Sequence, residues 1–320
     1  MADKDGVLLL GFGGVTDVCC GRLGDACPGR VECFISKVLG DDPRQAARVA
    51  EVAEHYHHLG GTSPYNELTF AQGAALEAEL ARRGHAMPVR YGFRNWPPWY
   101  QQGLEELRDL GCSHYRAVVL SAQRTRRGWE DYLDQCAEAA QHVPGAPERR
   151  GVIEPYYDDP GFIAGNVARI KEALTEAGWS RERFVAATLI LTAHAIPVPA
   201  EKTSPYREHV TTTARLVAEA AGHPDHLLGF QSAPDESRVP WSTPRLEDLV
   251  DQAVAAGAKD IVVQSVGFLV DHVEVIFDLD EEVANQCREL GVGYLRARCV
   301  HDQADFIAAL ADRVLALGSD

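Results

Sequence analysis

Short apolar runs alternate with longer amphipathic stretches along the whole chain, and this alternation restricts the fold more than any other feature. The runs cover residues 7–12, 89–93, 115–121, 184–193, 227–231, 260–268 and 293–296. Several are rich in Val, Ile or Leu and bounded by Gly, as strands buried on both faces should be. Between them, residues 42–58, 68–83, 98–110, 127–142, 160–177, 203–221, 244–256, 278–290 and 304–317 repeat apolar residues at three- and four-residue intervals, which predicts helices. Strand–helix alternation of this kind implies mostly parallel, doubly wound sheets with helices on both faces, an α/β fold. At 320 residues the chain has room for two such Rossmann-like domains. The polar stretch 141–150, QHVPGAPERR, is the best linker, so the domains are expected at 1–145 and 146–320, with an active-site cleft between them.

Charge and cysteine content narrow the function. The formal net charge of −16 argues against a nucleic-acid partner, since phosphate contacts need a basic surface. No eighteen-residue apolar run exists, so no membrane span is expected. MADKDGVLLLGFGG lacks the basic start and the apolar length of a signal peptide, so the cytoplasm is the expected location. Of eight cysteines, Cys19, Cys20, Cys27 and Cys33 crowd one segment with spacing CC-x6-C-x5-C, and no CxxC occurs. That spacing matches no zinc or iron–sulfur pattern, so ordinary thiols are expected there and a [2Fe–2S] cluster is not.

In open α/β sheets, ligands bind beyond the carboxyl ends of the strands. Three strand ends carry chemistry. LILTAHAIP (189–197) delivers His194 from a buried run into a loop that Pro197 keeps irregular. A histidine at a strand end is as often a satisfied structural residue as a metal ligand or proton acceptor. VVQSVGFLVDHVEVIFDLDEE (262–282) brings Asp271, His272, Glu274, Asp278, Asp280, Glu281 and Glu282 in quick succession. Glu274, Asp278 and Glu282 are four apart, so a helix sets them in one row. A solvated acidic face is the ordinary explanation, but these acids are interleaved with Val273, Val275, Ile276, Phe277 and Leu279 and follow a strand end. Such a row can attract a hard cation or relay protons. AQRTRRGWEDY (122–132) offers Arg124, Arg126, Arg127, Trp129 and Tyr132, which suit carboxylates and a flat ring unless they form a plain basic turn. Gly11-Phe-Gly-Gly14 is not a GxGxxG fingerprint, which leaves little for a nucleotide.

These segments, in this order, resemble the ferrochelatase family. The matching motifs are LLLGFGG (8–14), GGTSPYNELT (60–69), TAHAIP (192–197), GFQSAP (229–234), WSTPRLEDLV (241–250) and VGFLVDHVEVIFDLD (266–280), and the likeness covers about residues 6–315. The resemblance implies Fe²⁺ insertion into a porphyrin to give a haem, with iron as substrate and no tightly bound cofactor. It implies that His194 faces the ring centre as metal ligand or as acceptor of pyrrole protons, with Glu274 opposite and Asp278 and Glu282 continuing the row. His194, Glu274, Asp278 and Glu282 are thus the implied metal-handling set. Ser63 and Tyr132 match propionate-contacting positions of the branch that uses coproporphyrin. Phe12 stands where many members of that branch have tyrosine, and His55 where an arginine usually grips a propionate. Phe12, His55, Ser63, Arg124, Arg126, Arg127 and Tyr132 are the expected porphyrin contacts, with Arg22, Arg30 or the 124–127 cluster as substitutes for the missing arginine. The mixed, charged segment 16–34 and the lack of a C-terminal extension favour coproporphyrin III over protoporphyrin IX, and a monomer is expected. A cobalt or nickel chelatase for another tetrapyrrole, or a porphyrin carrier without activity, are the competing readings.

Overall fold

The computed structural model describes residues 4–234 and 237–317; the first three residues of the segment read for a targeting signal lie outside them. The chain divides into two compact units. One takes residues up to 120, 131–153 and from 311 on; the other takes 121–130 and 154–310.

The first unit holds a four-stranded sheet of β1 (Asp5–Gly11), β2 (Val89–Phe93), β3 (His114–Val119) and β4 (Glu148–Val152), in the order β2-β1-β3-β4. The second holds β5 (Thr188–His194), β6 (His226–Gln231), β7 (Asp260–Ser265) and β8 (Gly293–Ala297), in the order β6-β5-β7-β8. Every pairing is parallel. The two halves therefore repeat one topology, each with a switch point beside its central strand. The central strands are the most apolar: Val7–Leu10 and Leu189–Leu191 are at most 1% exposed. Strands covered on both faces need no polar alternation, which is why periodicity marked them as continuous runs.

The sequence boundary after residue 145 moves. The expected linker contains the start of β4, which pairs with β3 and belongs to the first sheet. Its sequence, ERRGV, is polar because an edge strand is paired on one side only and its side chains here are largely exposed. Residues 121–130 leave β3 and pack with the second unit, where Gln123 Nε2 donates to Thr213 Oγ1 (3.2 Å) and to the Val266 carbonyl (3.1 Å). The closing helix Ala304–Ala316 ends in the first unit, where buried Arg116 donates to the Val314 carbonyl and forks onto Asp5 (2.8 and 3.1 Å). The run 184–193 also splits. Ser180 caps a short helix, Arg181–Ala186, through the Arg183 amide, and the strand begins only at Thr188. A helix over Arg30–Val38, not expected from the sequence, rises from the cysteine-rich segment.

One glycine links fold and site. A side chain at Gly267, just after β7, would place its Cβ 2.6 Å from Ala193 Cβ and 2.9 Å from Ala193 Cα, beside His194. Only a hydrogen there lets the β7 loop close on the end of β5. Gly267→Ala is expected to cost about 1–3 kcal/mol by overpacking. Urea unfolding checks this, and an unchanged midpoint would remove the argument.

Candidate active site

His194 is the last residue of β5 and pairs with Gln231 at the end of β6. The strand end is clamped: the Ala195 amide donates to the Gln231 carbonyl (2.8 Å) and the Tyr206 hydroxyl to the His194 carbonyl (2.8 Å). The imidazole Nδ1 lies against the Ala195 carbonyl, which can only accept, so Nδ1 carries the proton. In the neutral imidazole Nε2 then presents its lone pair, 3.9 Å from Glu274 Oε2. An imidazole nitrogen and a carboxylate oxygen converge there, a pair that a cation or a transferable proton fits. Phe268 meets the imidazole edge-on at 5.9 Å and Trp241 lies at 6.5 Å, so one side of the pair is aromatic. Both side chains remain reachable, 31% and 40% exposed.

Glu274 owes its position to its neighbours. Val273 and Val275 are buried on either side of it in the single turn Val273–Ile276, and this leaves the carboxylate directed away from the core. His272 precedes the turn, its ring 4.3 Å from Phe268. Burial, with the nearby His194 adding to it, lowers the His272 pKa below the ordinary histidine value and favours the neutral ring.

The helix then widens. Phe277–Val283 is π-helical and the chain returns to α-helix at Ala284–Glu289. Bonding from i to i+5 broadens the turn and keeps residues four apart on a common stripe, and such segments concentrate at functional sites. Asp278 is buried on that stripe and accepts from Gln231 Nε2 (2.9 Å) and the Ser232 hydroxyl. Burial first, then the charges of Glu274 and Glu282, push its carboxyl up to about 7, against the opposing pull of those two hydrogen bonds. Glu282 is exposed at the far end. Ser232 has φ +62, an unusual backbone for serine, and its hydroxyl is the one that reaches Asp278.

The remaining acids divide by partner. Arg296 forks onto Asp280 (2.9 and 2.6 Å) and also holds Asp271 (2.8 Å). Burial works the other way, but His301 and the Arg296 guanidinium hold Asp271 well below the usual carboxylate range. Two acids of the run are thus structural, and Arg296, absent from the sequence reading, is what sorts them. Among the described residues no group of three or more His, Cys, Asp or Glu side chains is set to hold a metal ion. The expected four-residue set is therefore a close pair, His194 and Glu274, followed by a row. Asp278 is drawn instead toward Ser232 and Gln231, because a buried carboxylate needs donors.

The expected porphyrin contacts fall in both units. In the first, the Phe12 amide donates to the Tyr65 hydroxyl (2.9 Å), the Gly14 amide to Asn66 Oδ1 (2.8 Å) and the Ser63 amide to the Val15 carbonyl (2.8 Å). These bonds clasp the glycine-rich turn to the GGTSP turn and bring Phe12 and Ser63 onto one feature. Phe12 is half-buried against Phe34, Ser63 is buried, and His55 is half-buried on the helix Ala46–His58. Tyr132 is buried, with the Arg94 guanidinium 5.9 Å from its ring centre. In the second unit, Arg124 binds Glu130 (2.7 Å), and Arg126 and Arg127 are exposed on a second π-helical segment, Arg126–Glu130. The candidate substitutes for the missing arginine are engaged: Arg22 with Asp41 (2.6 Å) and the Cys33 carbonyl (3.0 Å), Arg30 with the Asp17 carbonyl. A separate cavity in the first unit, lined by Lys37, Arg94, Trp99, Tyr100, Gln135 and His142, contains neither His194 nor Glu274.

Two substitutions probe this electrostatics. Asp278 keeps its proton to about 7 when folded against an ordinary 3.8. The folded chain thus binds the extra proton between those values, and stability falls as pH rises through them. Asp278→Asn should change little near about pH 4 and stabilise by roughly 1–4 kcal/mol near about pH 8, as denaturant titrations at the two pH values would show. Arg296→Met leaves buried Asp271 with only His301 and the Cys299 amide and is expected to cost about 3–5 kcal/mol; a loss below about 1 kcal/mol would contradict the role given to it.

The comparisons with known proteins follow the geometry. The ferrochelatase family model matches residues 25–317. A protein of Mycolicibacterium vanbaalenii named coproporphyrin III ferrochelatase is 35% identical over 314 residues, covering 97% of this chain and 89% of its own length. The protein of that name from Mycolicibacterium smegmatis is 33% identical, covering 97% and 88%. Among solved structures, SirB from Bacillus subtilis with Fe³⁺ superposes with a TM-score of 0.60 at 13% identity, covering 99% of this chain and 96% of that one, a likeness of fold. A family match across residues 25–317 and full-length relatives at a third identity or more establish that this chain belongs to the ferrochelatase family.

Proposed function

We propose that this chain inserts Fe²⁺ into coproporphyrin III during haem formation, with His194 and Glu274 as the catalytic pair. The observation that carries the proposal is the 3.9 Å approach of His194 Nε2 to Glu274 Oε2 at a sheet switch point. The names of its relatives support the choice of porphyrin.

Insertion exchanges two N–H protons for one dication. A base must reach a pyrrole N–H directly or through one water, and the Nε2 lone pair and the Glu274 carboxylate are the groups available to it. Iron must shed water on the way in, and imidazole with carboxylate is a ligand pair that ferrous iron accepts. Two protein ligands leave the remaining coordination positions to water and then to the ring nitrogens. Asp278 can take up or release a proton near neutral pH, and exposed Glu282 continues the row to solvent, so protons have a path outward that does not cross the iron. Phe12, Ser63, His55, Tyr132 and the arginines at 124, 126 and 127 belong to the same proposal as porphyrin contacts. Action as a cytoplasmic monomer completes it.

Anaerobic Fe²⁺ insertion followed by absorbance tests the reading, with coproporphyrin III and protoporphyrin IX in parallel. Coproporphyrin III should be metallated faster, and His194→Ala or Glu274→Gln should each lower the rate by about 10²–10⁴-fold. Porphyrin binding without metallation, or insertion of cobalt or nickel in preference to iron, would sink it.

A further inference from the structure

The cysteine-rich segment that the sequence singled out has no part in the chemistry above. In the structure its thiols are unequal. Cys19 is exposed, Cys20 and Cys27 are half-buried, and Cys33 is buried in the helix Arg30–Val38. Cys20 Sγ lies 3.7 Å from Cys33 Sγ. Arg22 Nη2 reaches Cys33 Sγ at 3.5 Å and the Cys33 carbonyl at 3.0 Å.

We propose that Cys20 and Cys33 form a reversible disulfide by exchange with a low-molecular-weight disulfide, making this pair a redox modification site. A disulfide needs its sulfurs about 2.05 Å apart, so closure requires a shift of under about 2 Å. The Cys20 side can supply it. Residues 12–29 contain only one 3₁₀ turn, Gly24–Ala26, and Asp17, Val18 and Cys19 are exposed. Cys33 is fixed by its helix, with Phe34 and Ile35 buried beside it.

The order of events follows accessibility. The Cys20 thiolate attacks one sulfur of the small disulfide RSSR; that S–S bond breaks and one RS⁻ leaves, to be protonated. Cys33 then gives up its proton to solvent and its thiolate attacks Cys20 Sγ, displacing the second RS⁻, which is protonated in turn. Two protein thiols are oxidised and RSSR is reduced to two RSH. The neighbouring guanidinium of Arg22 favours the Cys33 thiolate in the second step, opposing the burial that disfavours it. Closure would pin the 12–29 loop to the helix whose Phe34 meets Phe12 edge-on at 6.1 Å, so oxidation reports directly to the first-unit turn.

The test treats the full chain anaerobically with oxidised glutathione, blocks free thiols and maps peptides by mass. A Cys20–Cys33 crosslink lighter by two hydrogens and reversed by dithiothreitol is expected. Cys20→Ser and Cys33→Ser should each abolish it, Cys19→Ser and Cys27→Ser should preserve it, and Arg22→Leu should let the Cys20–glutathione adduct persist several-fold longer. A Cys19–Cys27 crosslink, a stable adduct with Cys33 still free, unreactive thiols, or a metal held by these thiols in the purified chain would each overturn the proposal.

Discussion

Parallel pairing of β5 on both edges is the constraint on which the rest of the second unit depends. β5 is hydrogen-bonded to β6 on one side and β7 on the other, with His194 opposite Gln231 and Thr192 opposite Ser265. That register ends three strands at one level, so His194, the Gln231–Ser232 pair and the loop after Ser265 emerge together. A one-residue slip would turn His194 to the opposite face of the sheet. The apolar side chains of Leu189, Ile190 and Leu191 prevent such a slip, because it would disturb a core in which none of them is exposed. The position of His194 is in this sense a consequence of burial: hydrophobic packing sets the register, and the register sets where the histidine emerges.

Electrostatics then decides what each acid of the 271–282 run is for. An isolated carboxylate is costly to bury, and the chain meets that cost in two different ways. Asp271 and Asp280 share Arg296, and an ion pair with a fixed guanidinium has no spare capacity for a substrate. Asp278 receives neutral donors instead, which satisfy its oxygens without fixing its charge. Burial, against the pull of those donors, raises its pKa to about 7, so its proton is exchangeable near neutrality. One arginine in β8 thus separates the acids held in ion pairs from Asp278, which is not, within twelve residues of sequence.

Much of this was legible before the structure. Apolar runs located seven of the eight strands because buried parallel strands are nearly continuous in hydrophobicity. β4 was hidden because an exposed edge strand has no such signature, and its polar sequence resembled a linker. His194 and Glu274 were legible as candidates because one ends a strand and the other follows one, and each falls in a motif of the family that the sequence resembles. The role of Arg296 was not, since it depends on β7–β8 pairing across thirty residues of chain, which no local pattern encodes. The widening of the helix at Phe277 was equally hidden: spacing of four predicts a row in an α-helix, and the π-helical turn preserves the row by a different geometry. The arginines first considered as substitutes for the missing one look alike in sequence, and only their partners reveal that Arg22 and Arg30 already serve the protein itself.

The repeated topology sharpens what differs between the units. The ends of β1 and β5 are equivalent points in sheets of the same order. At one, the chain continues as Phe12-Gly-Gly14, a turn held by amide bonds to Tyr65 and Asn66 and presenting an aromatic ring with no titratable atom. At the other stands an imidazole whose tautomer is set by its own backbone, with a carboxylate within 4 Å. Phenylalanine can neither ligate a metal nor accept a proton, so of the two strand ends only that of β5 carries side chains able to do either. The same strand order thus presents two strand ends, and the side chains that follow each give them different chemistry.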